Sequence, residues 1–136
     1  MSLVIYTDGG ARGNPGPAGA GVVIKDGGKT VTEVKIFLGE RQTNNWAEYE
    51  ALILALQEAK KRGLAGREIE VRMDSELIVR QMAGEYQVKE ETLWPQYMKV
   101  HNLLVAHFPK YRFVHVRREE NKEADRLVNE AIDERA

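Results

Sequence analysis

The 136-residue chain contains no cysteine, so neither a disulfide framework nor a thiolate metal site is open to it. It has no apolar run near the ~20 residues that a membrane-spanning helix needs. No basic-then-apolar secretory signal opens it either. A cytoplasmic location with no membrane partner is therefore the expectation. Neither sign of charge dominates: 20 Lys and Arg stand against 21 Asp and Glu, for a net charge of −1. That argues against a non-specific nucleic-acid coat protein, which is usually strongly basic. It leaves room for a nucleic-acid enzyme whose acidic site offsets a local basic face. There is no G-x-x-x-x-G-K-[ST] and no G-x-G-x-x-G opening a helix, so nucleotide-cradling loops lose their main support. Repeats, low-complexity tracts and linkers are absent as well, and residues 1–136 are expected to form one domain.

What is present suits a globular fold: 43% of residues are apolar and 30% charged, enough to close a core. "SLVIYT" (2–7) reads as a short buried strand, stopped by the glycines that follow. "AGAGVVIKDGGKTVTEVKIFLG" reads as a hairpin around Asp26-Gly27-Gly28, since Asp-Gly favours tight turns. "TNNWAEYEALILALQEAKKRG" is the clearest helix. Ala47, Leu52, Ala55, Leu56 and Ala59 form its apolar stripe, Asn44 or Asn45 can cap it, and Gly63 ends it. "EIEVRMD" is a strand leading into a short helix, "SELIVRQMAG", capped by Ser75. "EETLWPQYMKVHNLLVAHF" is a helix in which Pro95 must lie in the first turn. "KYRFVHVRR" is a fifth strand and "ENKEADRLVNEAIDERA" a closing helix. The order βββαβααβα implies parallel crossovers after an antiparallel hairpin, hence an α/β fold with a mixed sheet and helices on both faces.

Four carboxylates fall at element ends. Asp8 ends the first strand, Glu48 lies one turn into the long helix, Asp74 ends the fourth strand, and Asp125 begins the last helix. Singly, each has a bland role as turn former or partner of a helix dipole. Together they mean more, because ligands in open α/β sheets sit beyond the carboxyl ends of parallel strands. If strands one and four are neighbours, Asp8 and Asp74 come within reach of each other. Converging carboxylates raise one another's pKa and call for counter-charge. Hard divalent ions such as Mg²⁺ or Mn²⁺ suit an all-oxygen set. Two such ions ~4 Å apart can flank a scissile phosphate, which is phosphodiester-cleavage chemistry.

"YTDGGARGNPGPAGAGVVI", "QTNNWAEYEALILAL", "VRMDSELIVRQM" and "REENKEADRLV" resemble, in order and spacing, the four signature blocks of the type 1 ribonuclease H family, and together they cover nearly the whole chain. The resemblance implies a five-stranded mixed sheet in the order 3-2-1-4-5. It also implies an endoribonuclease that cuts the RNA strand of RNA/DNA hybrids, leaving 5′-phosphate and 3′-OH ends. Asp8, Glu48, Asp74 and Asp125 would be its catalytic and metal-binding acids, with two Mg²⁺ (or substituting Mn²⁺) bound in the substrate complex. The chain would act as a monomer.

Six glycines and two prolines follow Asp8 within residues 9–21. Missing Cβ atoms let main chain approach a nucleic-acid backbone, and a 2′-OH distinguishes RNA from DNA. In similar proteins this segment contacts RNA, which here falls on Gly9, Gly10 and Asn14; a plain turn over Asn14-Pro15-Gly16-Pro17 competes. By the same resemblance Arg41 and Thr43 would hold a phosphate of the DNA strand, while Asn44 and Asn45 would enter the minor groove. Either asparagine can instead be the helix cap.

The chain departs from the family in two places. Many relatives carry a histidine before the last helix, whereas this loop reads "RREEN". His115 is taken as a structural strand residue and His101 and His107 as ordinary surface or packing residues, while Arg118 or Arg117 could serve as an auxiliary at the phosphate or equally be solvated rim charges. The Lys- and Trp-rich protrusion of some relatives is also missing: "GEYQVKEETLWPQY" has Lys89 among three glutamates. Few phosphate contacts then imply modest, steeply salt-dependent affinity. Trp46 and Trp94 are taken as core. Two other functions remain open, a nuclease of this fold with broader duplex substrates (double-stranded RNA included) and a non-catalytic hybrid-binding module.

Overall fold

The computed structural model describes residues 2–135, so the outermost residue at each end of the expected 1–136 domain lies outside it. The elements are β1 (Leu3–Ala11), β2 (Gly16–Asp26), β3 (Lys29–Gln42), α1 (Asn44–Lys61), β4 (Ile69–Met73), α2 (Glu76–Met82), α3 (Trp94–His107), β5 (Tyr111–His115) and α4 (Lys122–Glu134). Their order along the chain is the expected one. The five strands form one sheet in the order β3-β2-β1-β4-β5. β1 and β2 pair antiparallel from Leu3↔Asp26 to Ala11↔Ala18, and β2 pairs antiparallel with β3. β4 lies parallel to both β1 and β5. The β2–β3 turn is made by Gly27 and Gly28, both with positive φ (60° and 84°), as a two-residue hairpin loop matched to strand twist requires.

The two sheet faces are covered by different helices. α1 and α3 bury Leu3, Ile5, Val22, Ile24, Val71 and Met73 together with Leu52, Leu56, Val100 and Leu104. α4 packs on the other face against β2 and β3. Its buried residues, Ala124, Leu127, Val128, Ala131 and Ile132, recur at i, i+3, i+4, i+7 and i+8, one stripe of a 3.6-residue period. That stripe lies directly on backbone: a Cβ at Gly21 would stand 2.4 Å from the Ala124 carbonyl oxygen, and one at Gly19 2.9 Å from that of Val128. Lys25–Glu123, Lys35–Glu130 and Arg126–Glu33 ion pairs edge the contact. Being partly open to solvent, they add little to the close packing.

Three expectations need correction. β1 does not stop at the glycines but runs through Gly9 and Gly10 to Ala11. Its pairing with Ala18–Ala20 on β2 supplies the hydrogen bonds that hold them in the strand. The cap of α1 is Thr43, not Asn44 or Asn45: its extended backbone (φ −87°, ψ 159°) turns the hydroxyl back to accept from the Trp46 N–H at 3.2 Å. Trp94 is not core but 50% exposed. Its indole N–H donates to the Val88 carbonyl at 2.8 Å, so the ring pins the preceding loop at the surface. Trp46 does pack against the core, and Pro95 sits in the first turn of α3.

Candidate active site

β1–β4 pairing ends at Tyr6↔Arg72, and the acids lie just beyond that point. Asp8 projects from β1 two residues past the last pair, on the face that α4 covers. Asp74 is the first residue after β4. Glu48 comes from the second turn of α1, and its Oε1 accepts the Gly9 N–H at 3.0 Å. One ligand oxygen from each of Asp8, Glu48 and Asp74 lies within 4.8 Å of the others. Asp8 and Glu48 are each only 7% exposed. Asp125, one turn into α4, is not in that trio. It adjoins Asp8 and lines the same cavity of about 350 Å³.

Such crowding shows in the proton affinities. Burial first, then the charges of Asp74 and Asp125, pushes the Asp8 pKa up to about 8. Glu48 is raised well above the usual carboxylate range, by burial and then by Asp8 and Asp74. Asp74 is raised as well, mainly by burial, with Asn121 and Arg118 pulling it back. Arg118 draws all three downward. The donor set fits a hard divalent cation: every candidate ligand is a carboxylate oxygen. In addition, Asp74 Oδ2 is buried with no hydrogen-bond partner among the described residues, a state that costs free energy unless something pairs with it.

The cavity gathers Asp8, Gly9, Gly10, Asn44, Glu48, Asp74, Arg118 and Asp125. Asn14 of the β1–β2 loop and Asn44 at the start of α1 form a clasp. Asn14 Oδ1 accepts from the Asn44 N–H at 3.0 Å, and Asn44 Oδ1 accepts from the Ala11 N–H at 2.8 Å. Arg41 and Thr43 lie in a separate pocket of about 320 Å³ with Pro15, Trp46 and Thr92. Asn45 faces a third, larger groove with Leu77, Gln81 and Leu93. His115 is exposed at the end of β5. Arg12 and Asn129 also line the carboxylate cavity and were not expected there. Arg12 is held by Asp133 at 2.6 Å and by the Asn129 side chain at 3.2 Å. The available signal was slight: Arg12 is the one charged side chain in the segment from Gly9 to Gly21.

A five-stranded sheet in this order, with flanking helices and acids gathered beyond its parallel strands, defines the ribonuclease H-like fold. The Reverse transcriptase-like family profile matches residues 6–131. LC11-RNase H1, solved in complex with an RNA/DNA hybrid, is 54% identical and superposes with a TM-score of 0.94, the match covering 98% of this chain and 99% of that one. Bifunctional protein Rv2228c of Mycobacterium tuberculosis is 44% identical over 135 residues, which is 98% of this chain but 36% of that protein. Ribonuclease HI of Halobacterium salinarum is 42% identical over 130 residues, 95% of this chain and 63% of that protein. The chain thus spans roughly a third to two thirds of the length of these two relatives. It belongs to the ribonuclease H1 family. No described helix is long and apolar enough to cross a membrane.

Proposed function

We propose that the chain is an endoribonuclease that hydrolyses the RNA strand of RNA/DNA hybrids, giving 5′-phosphate and 3′-OH ends. Asp8, Glu48, Asp74 and Asp125 hold two Mg²⁺, for which Mn²⁺ can substitute. Bound there, the ions supply positive charge to the phosphate and an activated water. Asp8 is the natural shared ligand, because it adjoins both Asp74 and Asp125. Glu48 is fixed by the Gly9 N–H and serves one ion and a ribose hydroxyl. Asp125 completes the second ion's set from α4. Gly10 and the loop at Asn14 lie along the RNA strand. Arg41 and Thr43 hold a DNA phosphate, with Asn44 and Asn45 toward the minor groove. Arg118 is an auxiliary at the cleaved phosphate, where relatives place a histidine. Residues 1–136 act as one domain and one monomer, in the cytoplasm.

One observation carries this proposal: three carboxylates, from β1, from α1 and from just beyond β4, meet within 4.8 Å. A surface that merely bound polyanions would gain nothing from clustered negative charge. The test is cleavage of a hybrid by purified protein with Mg²⁺, beside double-stranded RNA and DNA of the same sequence. Asp8→Asn should lower hybrid cleavage at least ~10³-fold, with an unchanged circular dichroism spectrum. Wild-type rates in that variant would overturn the assignment. Equal cutting of all three duplexes would favour the broader nuclease.

A further inference from the structure

Beyond Tyr6↔Arg72 the β4-side edge of β1 has no strand partner, yet the main chain there must stay fixed, because the next residue but one is Asp8. The Thr7 carbonyl on that edge is satisfied by a side chain 114 residues away: Asn121 Nδ2 donates to it at 2.9 Å. Asn121 is 1% exposed. It closes the 3-10 turn that carries Arg118 and immediately precedes α4. Its main-chain carbonyl accepts from the Asp125 N–H at 3.1 Å as the first bond of α4. The side-chain amide therefore ties the peptide before Asp8 to the residue from which α4, and with it Asp125, starts. That amide also neighbours the Asp74 carboxylate.

We propose that Asn121 is a positioning residue: by tying the start of α4 to β1 at Thr7 it sets the spacing of the carboxylates, and thereby the affinity of the site for divalent ions. The geometry resembles a short piece of β-ladder continued by a side chain. An asparagine suits this place because its amide offers the same N–H donor as a backbone. A longer side chain would push α4 away, and a carboxylate would repel the Thr7 carbonyl. Outer groups that orient metal ligands are commonly worth 10–100-fold in metal affinity.

The proposal rests on the metal-dependent function proposed above, and the test separates the two. Free Mn²⁺ is followed by electron paramagnetic resonance during titration of wild type, Asn121→Ala, Asp8→Asn and Tyr49→Phe. Tyr49→Phe removes a buried hydrogen bond to Gln81 (2.7 Å) outside the carboxylate cavity and controls for lost stability alone. Asn121→Ala should bind Mn²⁺ about 10–100-fold more weakly, with hybrid kcat falling and KM near wild type. Tyr49→Phe should melt lower with Mn²⁺ affinity intact. Should Asn121→Ala not fold, Asn121→Ser is used, since its hydroxyl is too short to reach Thr7, and the same loss is expected. Unchanged Mn²⁺ affinity in the folded Asn121 variant, with affinity lost in Asp8→Asn, would overturn the positioning role and leave the nuclease assignment standing. Absence of Asp8-dependent Mn²⁺ binding in wild type would overturn both.

Discussion

Gly9 and Gly10 are neighbours in β1, and substituting each by alanine should have opposite consequences. A Cβ at Gly9 would lie 2.2 Å from the Ala47 carbonyl oxygen and 2.6 Å from the Glu48 nitrogen. Both are backbone atoms of α1, so the helix itself must retreat by about 1 Å to restore van der Waals distance. That shift moves Glu48 and loosens the buried bond its Oε1 accepts from the Gly9 N–H. Overpacking costs about 1–3 kcal/mol and a buried bond to a charged group about 1.5–3 kcal/mol, together about 2.5–6 kcal/mol. Unfolding entropy of about 2.1 cal/mol/K per residue gives about 0.3 kcal/mol/K for this chain. Gly9→Ala should therefore melt about 8–20 °C lower and lose activity through a displaced Glu48. At Gly10 the nearest atoms to a Cβ are Asn44 Oδ1 at 3.9 Å and Val128 Cγ1 at 4.0 Å, and its φ is not positive. Gly10→Ala should melt at or slightly above wild type, because it restricts the unfolded chain. Its methyl group instead faces the cavity, in the path assigned to RNA. Loss of one close hydrogen bond there, about 1–1.5 kcal/mol, raises KM on the order of tenfold. Calorimetric melting without metal and steady-state hybrid cleavage read the two effects separately. A Gly9→Ala protein melting within about 3 °C of wild type would refute the packing account, and an unchanged KM in Gly10→Ala would refute the substrate path.

The metal-free protein should lose stability as pH rises. Asp8 has its folded pKa raised to about 8, so between about pH 4 and 8 the folded chain holds a proton that the unfolded chain releases. Its contribution is full below the ordinary carboxylate range and is lost as pH rises through about 8, at up to about 1.4 kcal/mol per pH unit. Melting temperature should fall on the order of 10 °C from pH 5 to 8, and saturating Mn²⁺ should abolish the fall while releasing protons on binding; a flat metal-free profile would contradict this. Arg118→Ala removes a positive charge that lowers Asp8, Glu48 and Asp74. The acid limb of its pH–rate profile should move upward, with partial rescue by Arg118→Lys, and an unmoved limb would exclude the auxiliary role. Thr43→Ala deletes the α1 cap bond. It should cost about 1 kcal/mol, or about 3 °C in melting temperature, while raising hybrid KM more than it lowers kcat.

Local signals were enough for the helices. In α4 the apolar residues from Ala124 to Ile132 repeat with helical period, and in α1 the basic pair Lys60 and Lys61 precedes positive-φ Gly63. The acids were legible as positions within their own elements, but periodicity says nothing of which strand lies beside which. Their convergence followed only once strand order was supplied by resemblance. Asn121 escaped notice for the same reason: its partner, the Thr7 carbonyl, is 114 residues away. The two asparagines drew attention from the threonine before them at the α1 cap. Thr43 takes it because its neighbour Asn44 is drawn off to the Ala11 N–H, another long-range contact. Trp94 shows the limit of reading burial from composition, since a polar indole edge lets a large ring rest half-exposed over a loop.

The glycines after Asp8 mislead most in one dimension, where they suggest a pliant loop. In three dimensions most of them lie in strands whose backbones are pressed between helices. Gly9 makes room for α1, and Gly19 and Gly21 make room for α4 on the opposite face. Across the sheet Asp8 pairs with Gly21, so the spot where α4 comes closest to the sheet is also beside the first carboxylate. Close helix approach on both faces is what brings Glu48 and Asp125 to Asp8 from opposite sides. A bulkier residue at 9 or 21 would separate acids that have to share a cation. The glycine content is therefore a condition of a rigid site. Freedom to accommodate substrate is confined to Gly10 and the turn at 12–15, where no neighbouring helix fills the space a side chain would take.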